Sequence, residues 1–156
     1  MRRLLISLLL ILPLQALASS KHNLPVASDL QQDAQLSKRH RLPIVIFYMS
    51  DDCGYCDAVS DLYLEPMHRN GLDKNRFILR TINTTGYASV RSFDGKKMDH
   101  DDFADKQGVS FTPVIKFYNH QGKEIAPEIF GYQTPDFYGA YLEATIEQSI
   151  AKLRKL

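Results

Sequence analysis

The sequence lacks three features that would each define a class of protein. It has no marked excess of charge, since 19 Lys and Arg are balanced by 18 Asp and Glu among 156 residues, and this balance argues against nucleic acid as the main partner. It has no apolar run of the ~20 residues that a membrane-spanning helix needs. It also lacks metal-ligand spacing, because its five histidines are scattered and its two cysteines supply only half of a structural zinc site.

The N-terminal stretch MRRLLISLLLILPLQALASS has the organisation of an export signal. Two arginines precede an apolar run from Leu4 to Leu12, and Ala16-Leu17-Ala18 has the small-x-small form of a signal-peptidase site. We therefore predict that residues 1–18 are a signal peptide cleaved after Ala18, and that the mature chain of 138 residues is a single periplasmic domain. A membrane anchor is the alternative, but the apolar run is too short to span a bilayer.

Both cysteines lie in the stretch SDDCGYCDAVSDL, with only Gly54 and Tyr55 between Cys53 and Cys56. The pair could be a structural staple, part of a metal site or a reactive dithiol. A bridge across two residues closes a very small loop and removes little entropy from the unfolded chain, so the staple is the weak interpretation. Export implies an oxidising compartment, in which such a pair can form a disulfide.

The residues around the motif predict a strand, a helix and a second strand. PIVIFYM, residues 43–49, is a continuous apolar run typical of a strand buried on both faces, and it ends just before the cysteines. After Cys53, apolar residues recur at helical spacing until Pro66, which we expect to end or kink the helix. FILRTIN, residues 77–83, is typical of a second strand, so the three elements form a βαβ unit with parallel strands.

Further elements are predicted on both sides of this unit. Before it, Ser28 and Gln31 resemble a capping box and predict a short helix from Asp29 to about His40. After it, residues 84–98 form an irregular insert with a hairpin turn at Asp94-Gly95. The remaining predictions are a short helix over residues 99–106, strands over residues 114–118 and 123–131, and a last helix that begins at Thr134-Pro135-Asp136 with the Thr134 hydroxyl as its cap. This order predicts an α/β fold with helices on both faces of one mixed sheet.

The position of Cys53 at the start of a helix predicts its chemical role. Unpaired backbone N–H groups and the helix dipole favour an anion there, which lowers the pKa of the first thiol. Cys56 lies further into the helix and should be more shielded. We therefore expect Cys53 to attack a substrate disulfide as a thiolate and Cys56 to resolve the mixed disulfide. Gly54 and the exposed Tyr55 are expected to contact the substrate.

From about residue 40 to residue 153 the chain resembles the thioredoxin superfamily, in particular the exported thioredoxin-related proteins of the SoxW type. The resemblance rests on the apolar strand that ends in CGYC, on Thr112-Pro113 before the strand VIKFY, and on the glycines Gly122 and Gly131. It implies a thioredoxin-like fold with a mixed central sheet and a cis peptide bond before Pro113. It also implies that an extended substrate segment docks at Thr112 and Pro113.

Two features depart from that resemblance. Many thioredoxins carry a buried carboxylate six positions before the first cysteine, which relays a proton to the second; Phe47 stands there in this chain. Cys56 must then lose its proton to water or to another group. The second departure is the insert at residues 84–98, which either shapes the substrate surface or is a solvated loop. We assign residues 19–42 to an N-terminal extension with a short helix and residues 43–156 to the thioredoxin-like domain.

The charges near the cysteines bear on the direction of electron flow. Asp51, Asp52, Asp57 and Asp61 crowd the motif, and negative charge opposes thiolate formation, which makes the dithiol a better electron donor. We therefore expect the reducing direction. The competing interpretation is that these acids are solvated, with Asp51 or Asp52 capping the helix. Arg80 could offset the charge if it points inward, but we expect it to end in solvent and leave it out of the site.

The sequence thus predicts an exported, monomeric thiol-disulfide oxidoreductase with no cofactor and no metal. Its partners would be proteins with disulfides or thiols and a separate redox partner, for which a membrane electron-transfer protein is one candidate. The alternatives are a disulfide oxidase or isomerase, a non-catalytic copper-binding thioredoxin-like module, and an assembly factor without turnover. The separate dimerisation domain of exported isomerases is not expected, because only 24 residues separate the predicted cleavage site from the first strand. We interpret His100, with its neighbours Asp99, Asp101 and Asp102, as a solvated helix start.

Overall fold

The computed structural model describes residues 23–155, so the predicted signal peptide at residues 1–18 lies outside the described residues. The helices are α1 (Leu30–His40), α2 (Gly54–Val59), α3 (Glu65–Arg69), α4 (His100–Lys106) and α5 (Pro135–Arg154). The strands are β1 (Ile44–Met49), β2 (Ile78–Asn83), β3 (Ser89–Arg91), β4 (Lys97–Asp99), β5 (Val114–Tyr118) and β6 (Ile129–Phe130). A π-helical turn, Ser60–Leu64, lies between α2 and α3.

The main sheet has four strands in the order β2-β1-β5-β6. Strand β1 runs parallel to β2 and antiparallel to β5, and β6 is antiparallel to β5. Strands β3 and β4 form a separate antiparallel hairpin within the insert. The predicted α/β fold with a mixed central sheet is therefore confirmed, and so is the βαβ unit around the cysteines.

Strand β1 is buried along its whole length because each face of the sheet carries its own core. Side chains alternate between the two faces of a strand, so a strand that is covered on both sides is apolar at every position. Helices α1 and α4 contribute to the core on one face, and helices α2 and α5 to the core on the other. The β1 residues of the first core are Ile44, Ile46 and Tyr48, and those of the second are Val45, Phe47 and Met49.

The segment before α1 lies beside the outer strand β2. Residues 25 and 27 pair with Thr81 through backbone hydrogen bonds of 2.8 and 2.9 Å. Helix α1 then begins at Leu30, and its cap is Asp29, whose carboxylate accepts a hydrogen bond from the backbone N of Gln32 at 2.9 Å. The predicted helix is present, but the predicted cap at Ser28 is wrong by one position.

The helix after the cysteines does not end at Pro66. Residues 54–69 are helical throughout, with Pro66 in the first turn of α3. Proline lacks a backbone N–H and cannot make the usual bond to the residue four positions earlier. The π-helical turn lies just before it, and its last bond runs from the backbone N of Glu65 to the carbonyl of Ser60. The proline therefore accompanies a change of helical pitch rather than a helix end.

The insert packs on the core and is not a solvated loop. Its hairpin turn lies at Asp94-Gly95 as predicted, and Gly95 has a φ of 84°. Val90 is fully buried, and the Phe93 ring contacts the Tyr118 ring with centroids 5.5 Å apart. A Cβ added to Gly122 would lie 2.6 Å from Phe93, so only glycine fits that turn. The insert is thereby attached to the end of β5.

The C-terminal part differs in detail from the prediction. The strand predicted over residues 123–131 is reduced to the two residues of β6, with one isolated bridge at Glu124, because Pro127 interrupts the segment and has no N–H for a ladder. Helix α5 starts as expected, but Thr134 has a φ of 51° and its side chain makes no capping hydrogen bond. Tyr141 of this helix is 55% exposed.

Candidate active site

Cys53 lies where the loop after β1 meets α2, and it is the N-cap residue of that helix. Its Sγ accepts a hydrogen bond from the backbone N of Cys56 at 3.1 Å. Cys53 is partly exposed, whereas Cys56 is fully buried in the core below α2. The two sulfurs form a disulfide. One sulfur of the pair is therefore open to a substrate and receives a backbone N–H, and the other is shielded.

Strand order brings the Thr112-Pro113 pair to the cysteines. Because β1 and β5 are antiparallel neighbours, the loop after β1 and the loop before β5 lie at the same end of the sheet. The Thr112 Oγ1 lies 3.8 Å from the Cys53 Sγ and 2.7 Å from the Ser50 Oγ. The peptide bond between Thr112 and Pro113 is cis. Four of the predicted site residues are thus close together in space.

Ser50 was missed by the sequence reasoning, although it directly follows β1 and precedes the motif. Its hydroxyl group and that of Thr112 share a hydrogen bond, so each restrains the other beside the Cys53 sulfur. A small polar residue between a buried strand and a CxxC motif is only weak evidence for a site residue, because such residues also occur in ordinary loops.

Aromatic side chains line the exposed side of the site. Tyr55 is 66% exposed, and its ring centroid lies 6.2 Å from that of Tyr132. Phe111 and Phe130 are partly exposed and meet edge to face with centroids 3.8 Å apart. The backbone N of Gly131 donates to the Pro113 carbonyl at 2.8 Å and so joins this surface to the cis bond. Gly54 is exposed, and a Cβ placed there would meet nothing within 4 Å.

The acidic residues before the cysteines do not cap the helix, because Cys53 itself occupies that position. The Asp51 carboxylate instead accepts from the Asn83 side chain at 2.9 Å, and the Asp51 backbone N donates to the Thr85 hydroxyl at 2.8 Å. Asp52 is exposed and has a φ of 55°. The insert thus holds in place the loop that carries these acids. Asp51, Asp52 and Met49 also line a cavity of about 400 Å³.

Two basic residues lie on the strands that flank β1, at the positions that pair with Ile46, and both are engaged by carboxylates. Arg80 donates from Nε to the Asp33 carboxylate of α1 at 2.9 Å, so the expectation that it ends in solvent is wrong. Burial raises the pKa of Asp33, and the hydrogen bond and charge of Arg80 oppose that rise. Lys116 is nearly buried and pairs with Glu124 and Glu128 at 3.0 and 3.1 Å. Neither contact involves the cysteines.

His100 is a buried structural residue rather than part of a solvated helix start. Its Nδ1 accepts from the backbone N of Asn83 at 3.1 Å, and its Nε2 bonds to the Ala27 carbonyl at 2.9 Å. The ring is neutral in this arrangement, since one nitrogen must accept. Burial lowers the pKa of His100. Within residues 23–155 no three potential His, Cys, Asp or Glu ligands come together as a metal site.

Phe47, at the position of the carboxylate found in many thioredoxins, is fully buried in the core that also holds Cys56. Ser60 is fully buried one helical turn after Cys56, and its hydroxyl donates to the Glu65 carboxylate at 3.5 Å. Neither Ser60 nor Glu65 was singled out in the sequence. Nothing in the local pattern marks them, because the π-helical turn that brings them together has no reliable sequence signature.

A thioredoxin-like fold with a close cysteine pair at a helix start is the arrangement of thiol-disulfide oxidoreductases. The chain belongs to the thioredoxin-like domain family, which matches residues 30–146. No curated protein matches the chain. In the described part of the chain, none of the helices combines the length and the apolar character needed to cross a bilayer.

Solved thioredoxins have a similar backbone. Fasciola hepatica thioredoxin superposes with a TM-score of 0.51 at 17% identity, over 80% of this chain and 98% of the other. Spinach chloroplast thioredoxin F gives 0.50 at 15% identity, over 83% and 98%. Oxidised thioredoxin O2 from Arabidopsis thaliana gives 0.50 at 20% identity, over 80% and 91%. At these identities the similarity shows the fold alone.

Proposed function

We propose that this chain is an exported oxidoreductase of the SoxW type that reduces disulfides in protein substrates in the periplasm. The observation that carries the proposal is the asymmetry of the pair: the Cys53 sulfur is partly exposed and accepts a backbone N–H, while Cys56 is fully buried. Cys53 is the attacking thiolate and Cys56 resolves the mixed disulfide. The reaction needs no cofactor and no metal, since the electrons come from the dithiol.

The substrate segment docks beside Thr112 and Pro113. The Thr112 hydroxyl already contacts the Cys53 sulfur at 3.8 Å, so backbone groups of the same loop lie close to an incoming disulfide. Tyr55 and Phe111 provide exposed aromatic area on the substrate side, which suits apolar side chains next to the client cysteine. Protein substrates and a separate electron donor are therefore the proposed partners, and a membrane electron-transfer protein is a candidate donor. We propose that the enzyme acts as a monomer.

The local charge favours the reducing direction. Asp51 and Asp52 directly precede Cys53, and Arg80, the cation on the neighbouring strand, is engaged by Asp33. Negative charge near a thiolate destabilises it and thereby makes the dithiol a stronger reductant. Each 30 mV of reduction potential in this two-electron couple corresponds to about 1.4 kcal/mol, so two partly screened carboxylates are enough to lower the reduction potential of the pair measurably.

Insulin reduction with dithiothreitol as electron source tests the proposal. The wild-type protein should accelerate insulin precipitation, Cys53→Ser should abolish the acceleration, and Cys56→Ser should accumulate mixed disulfides at Cys53. Equal rates for wild type and Cys53→Ser would refute the role of that sulfur.

The equilibrium of the pair against glutathione decides the direction. A potential near the roughly −270 mV of thioredoxin supports a reductase, and one near about −120 mV supports an oxidase. Stoichiometric retention of Cu(I) without disulfide exchange would instead favour the copper-binding module.

A further inference from the structure

The cavity of about 400 Å³ beside the cysteine loop has no part in the exchange chemistry described above. Ser50 lines this cavity, and the Ser50 Oγ lies 2.7 Å from the Thr112 Oγ1. The Thr112 Oγ1 in turn lies 3.8 Å from the Cys53 Sγ. The cavity volume falls within the range of small-ligand sites, about 300 to 1,000 Å³. A client chain that reacts at Cys53 therefore has residues beside its cysteine that can reach the cavity.

The inner part of the cavity is apolar. The N-terminal extension contributes Leu24 and Val26, the end of β1 contributes Met49, and the insert at residues 84–98 contributes Tyr87. Leu24 and Met49 are buried, whereas Val26 and Tyr87 are exposed. Apolar walls that lead to an exposed mouth suit a hydrocarbon chain with a polar end.

The exposed part of the lining is negatively charged. Asp51 and Asp52 are both exposed and lie directly before Cys53. The Asp51 carboxylate accepts from the Asn83 side chain at 2.9 Å, and this bond holds it in place. A carboxylate offers about four acceptor positions, so it can bind further donors. Among the described residues that line the cavity there is no lysine or arginine, so the protein itself supplies no cation there.

Two further rings line the cavity, and both are compatible with a bound cation. His100 is neutral, because its Nδ1 accepts from the backbone N of Asn83 at 3.1 Å and burial lowers its pKa. It therefore adds no positive charge that would repel one. Tyr87 is fully exposed, and the face of a tyrosine ring attracts cations, arginine above all.

We propose that this cavity binds an arginine side chain of the client protein beside the reacting disulfide. This inference rests on the proposed oxidoreductase function and names its preferred substrates, which are disulfides flanked by arginine. The hydrocarbon stem lies against Leu24 and Met49. The guanidinium donates to the carboxylates of Asp51 and Asp52 and stacks on Tyr87. Arginine fits better than lysine, because its planar fork matches carboxylates and stacks on aromatic rings.

Two disulfide peptides that differ in one chemical group test this preference. Each joins a fluorophore and a quencher through a disulfide, and the residues beside each cysteine are arginine in one peptide and citrulline in the other. Citrulline has the shape of arginine but is neutral. Reduced protein in excess converts the peptide disulfide to two thiols and its own dithiol to a disulfide, and the rise in fluorescence gives the second-order rate constant.

The measured quantity is the rate constant for the arginine peptide divided by that for the citrulline peptide. For the wild-type protein this ratio should be about tenfold at low ionic strength. It should fall to about threefold at about 0.5 M salt, because salt screens exposed charges.

Tyr87→Ala removes the aromatic face without changing any charge. It should lower the ratio about threefold, and Tyr87→Phe should keep the wild-type ratio, since phenylalanine retains the ring face. Tyr141→Ala is the matched control, because Tyr141 is an exposed tyrosine of α5 that does not line the cavity. It should leave the ratio within about 1.5-fold of wild type.

Asp52→Asn removes one carboxylate from the cavity. Asparagine tolerates the positive φ of this position, so the backbone is not strained. The ratio should fall about threefold. Asp102→Asn removes the same charge from an exposed position of α4 outside the cavity and should change the ratio by no more than about 1.5-fold. A general change in the reactivity of Cys53 affects both peptides and cancels in the ratio.

The outcomes separate this inference from the proposed function. Equal rate constants for the two peptides in the wild-type protein overturn the arginine site and leave the oxidoreductase intact. An unchanged ratio in Tyr87→Ala also overturns it, and so does an equal fall in Asp52→Asn and Asp102→Asn, since the preference would then be a general effect of negative charge. Failure of the wild-type protein to reduce either peptide overturns the proposed function itself.

Discussion

The buried pair of tyrosine hydroxyls between β1 and β5 allows a sharp test of the packing described above. Tyr48 and Tyr118 are both fully buried, and their hydroxyl groups meet at 2.8 Å. Burial raises the pKa of Tyr118 and of Tyr48 far above their usual range, so both stay neutral at any working pH. The perturbation is a double-mutant cycle with Tyr48→Phe, Tyr118→Phe and the combined variant.

The expected magnitudes follow from the asymmetry of buried hydrogen bonds. Each single variant leaves the partner hydroxyl buried without its bond, which costs about 1 to 3 kcal/mol of unfolding free energy. The double variant removes both polar groups and leaves the ring packing intact, so it should lie within about 1 kcal/mol of wild type. The sum of the single losses should therefore exceed the loss of the double variant by at least about 1 kcal/mol.

Urea denaturation of the oxidised protein, monitored by far-UV circular dichroism, measures all four corners of the cycle. The two single variants should also melt a few degrees lower, at about 3 to 4 °C per kcal/mol for a chain of this length. Additive losses in the double variant would refute the reasoning, because they would mean that each hydroxyl interacts with something other than its partner.

Three further predictions concern individual polar residues. Burial lowers the folded-state pKa of His100 below its ordinary 6.5, so as the pH falls the unfolded chain takes up the His100 proton before the folded chain does. The contribution of neutral His100 to stability is therefore complete above about pH 6.5 and is lost as the pH falls through the folded-state pKa. Unfolding free energies of wild type and His100→Gln between pH 5 and 8 should thus converge at low pH, and a constant difference contradicts this. Lys116→Met should lower the unfolding free energy by only about 1 to 2 kcal/mol in urea denaturation, because Glu124 and Glu128 are exposed enough for water to solvate them. A loss above about 4 kcal/mol would indicate that the two carboxylates are left buried without a partner. Thr112→Val should slow insulin reduction about two- to fivefold, because the variant loses the weak contact of the Thr112 hydroxyl with the Cys53 sulfur and its hydrogen bond with Ser50. Thr112→Ser should restore the rate, and a faster Thr112→Val enzyme is the contrary result.

The elements nearest the cysteines could be predicted from the sequence because their signals are local. A fully buried strand must be apolar at every position, and residues 44–49 meet that condition. The hairpin turn at Asp94-Gly95 could also be predicted, since Gly95 adopts the positive φ that such a turn needs. Proximity of Thr112 to Cys53 followed from the resemblance to thioredoxins, not from any spacing in the chain.

What could not be predicted depends on contacts that are distant in sequence. His100 can be buried because backbone groups of Asn83 and Ala27 form hydrogen bonds with its two ring nitrogens. The sequence around residue 100 does not predict those partners. The cap of α1 was misplaced by one position because Ser28 and Asp29 are both competent caps. The π-helical turn depends on how residues 54–69 pack on the sheet, which a periodicity of 3.6 residues does not encode.

The two cores that enclose β1 have a kinetic consequence for its backbone. Its amide protons can exchange with deuterium only when both helical layers separate from the sheet, so they should exchange at the rate of global unfolding. The hairpin of β3 and β4 has only three paired positions and β4 is mostly exposed, so the amides of β4 should exchange faster than those of β1. The strand that leads to the reactive sulfur should thus stay protected from exchange long after β4 has taken up deuterium.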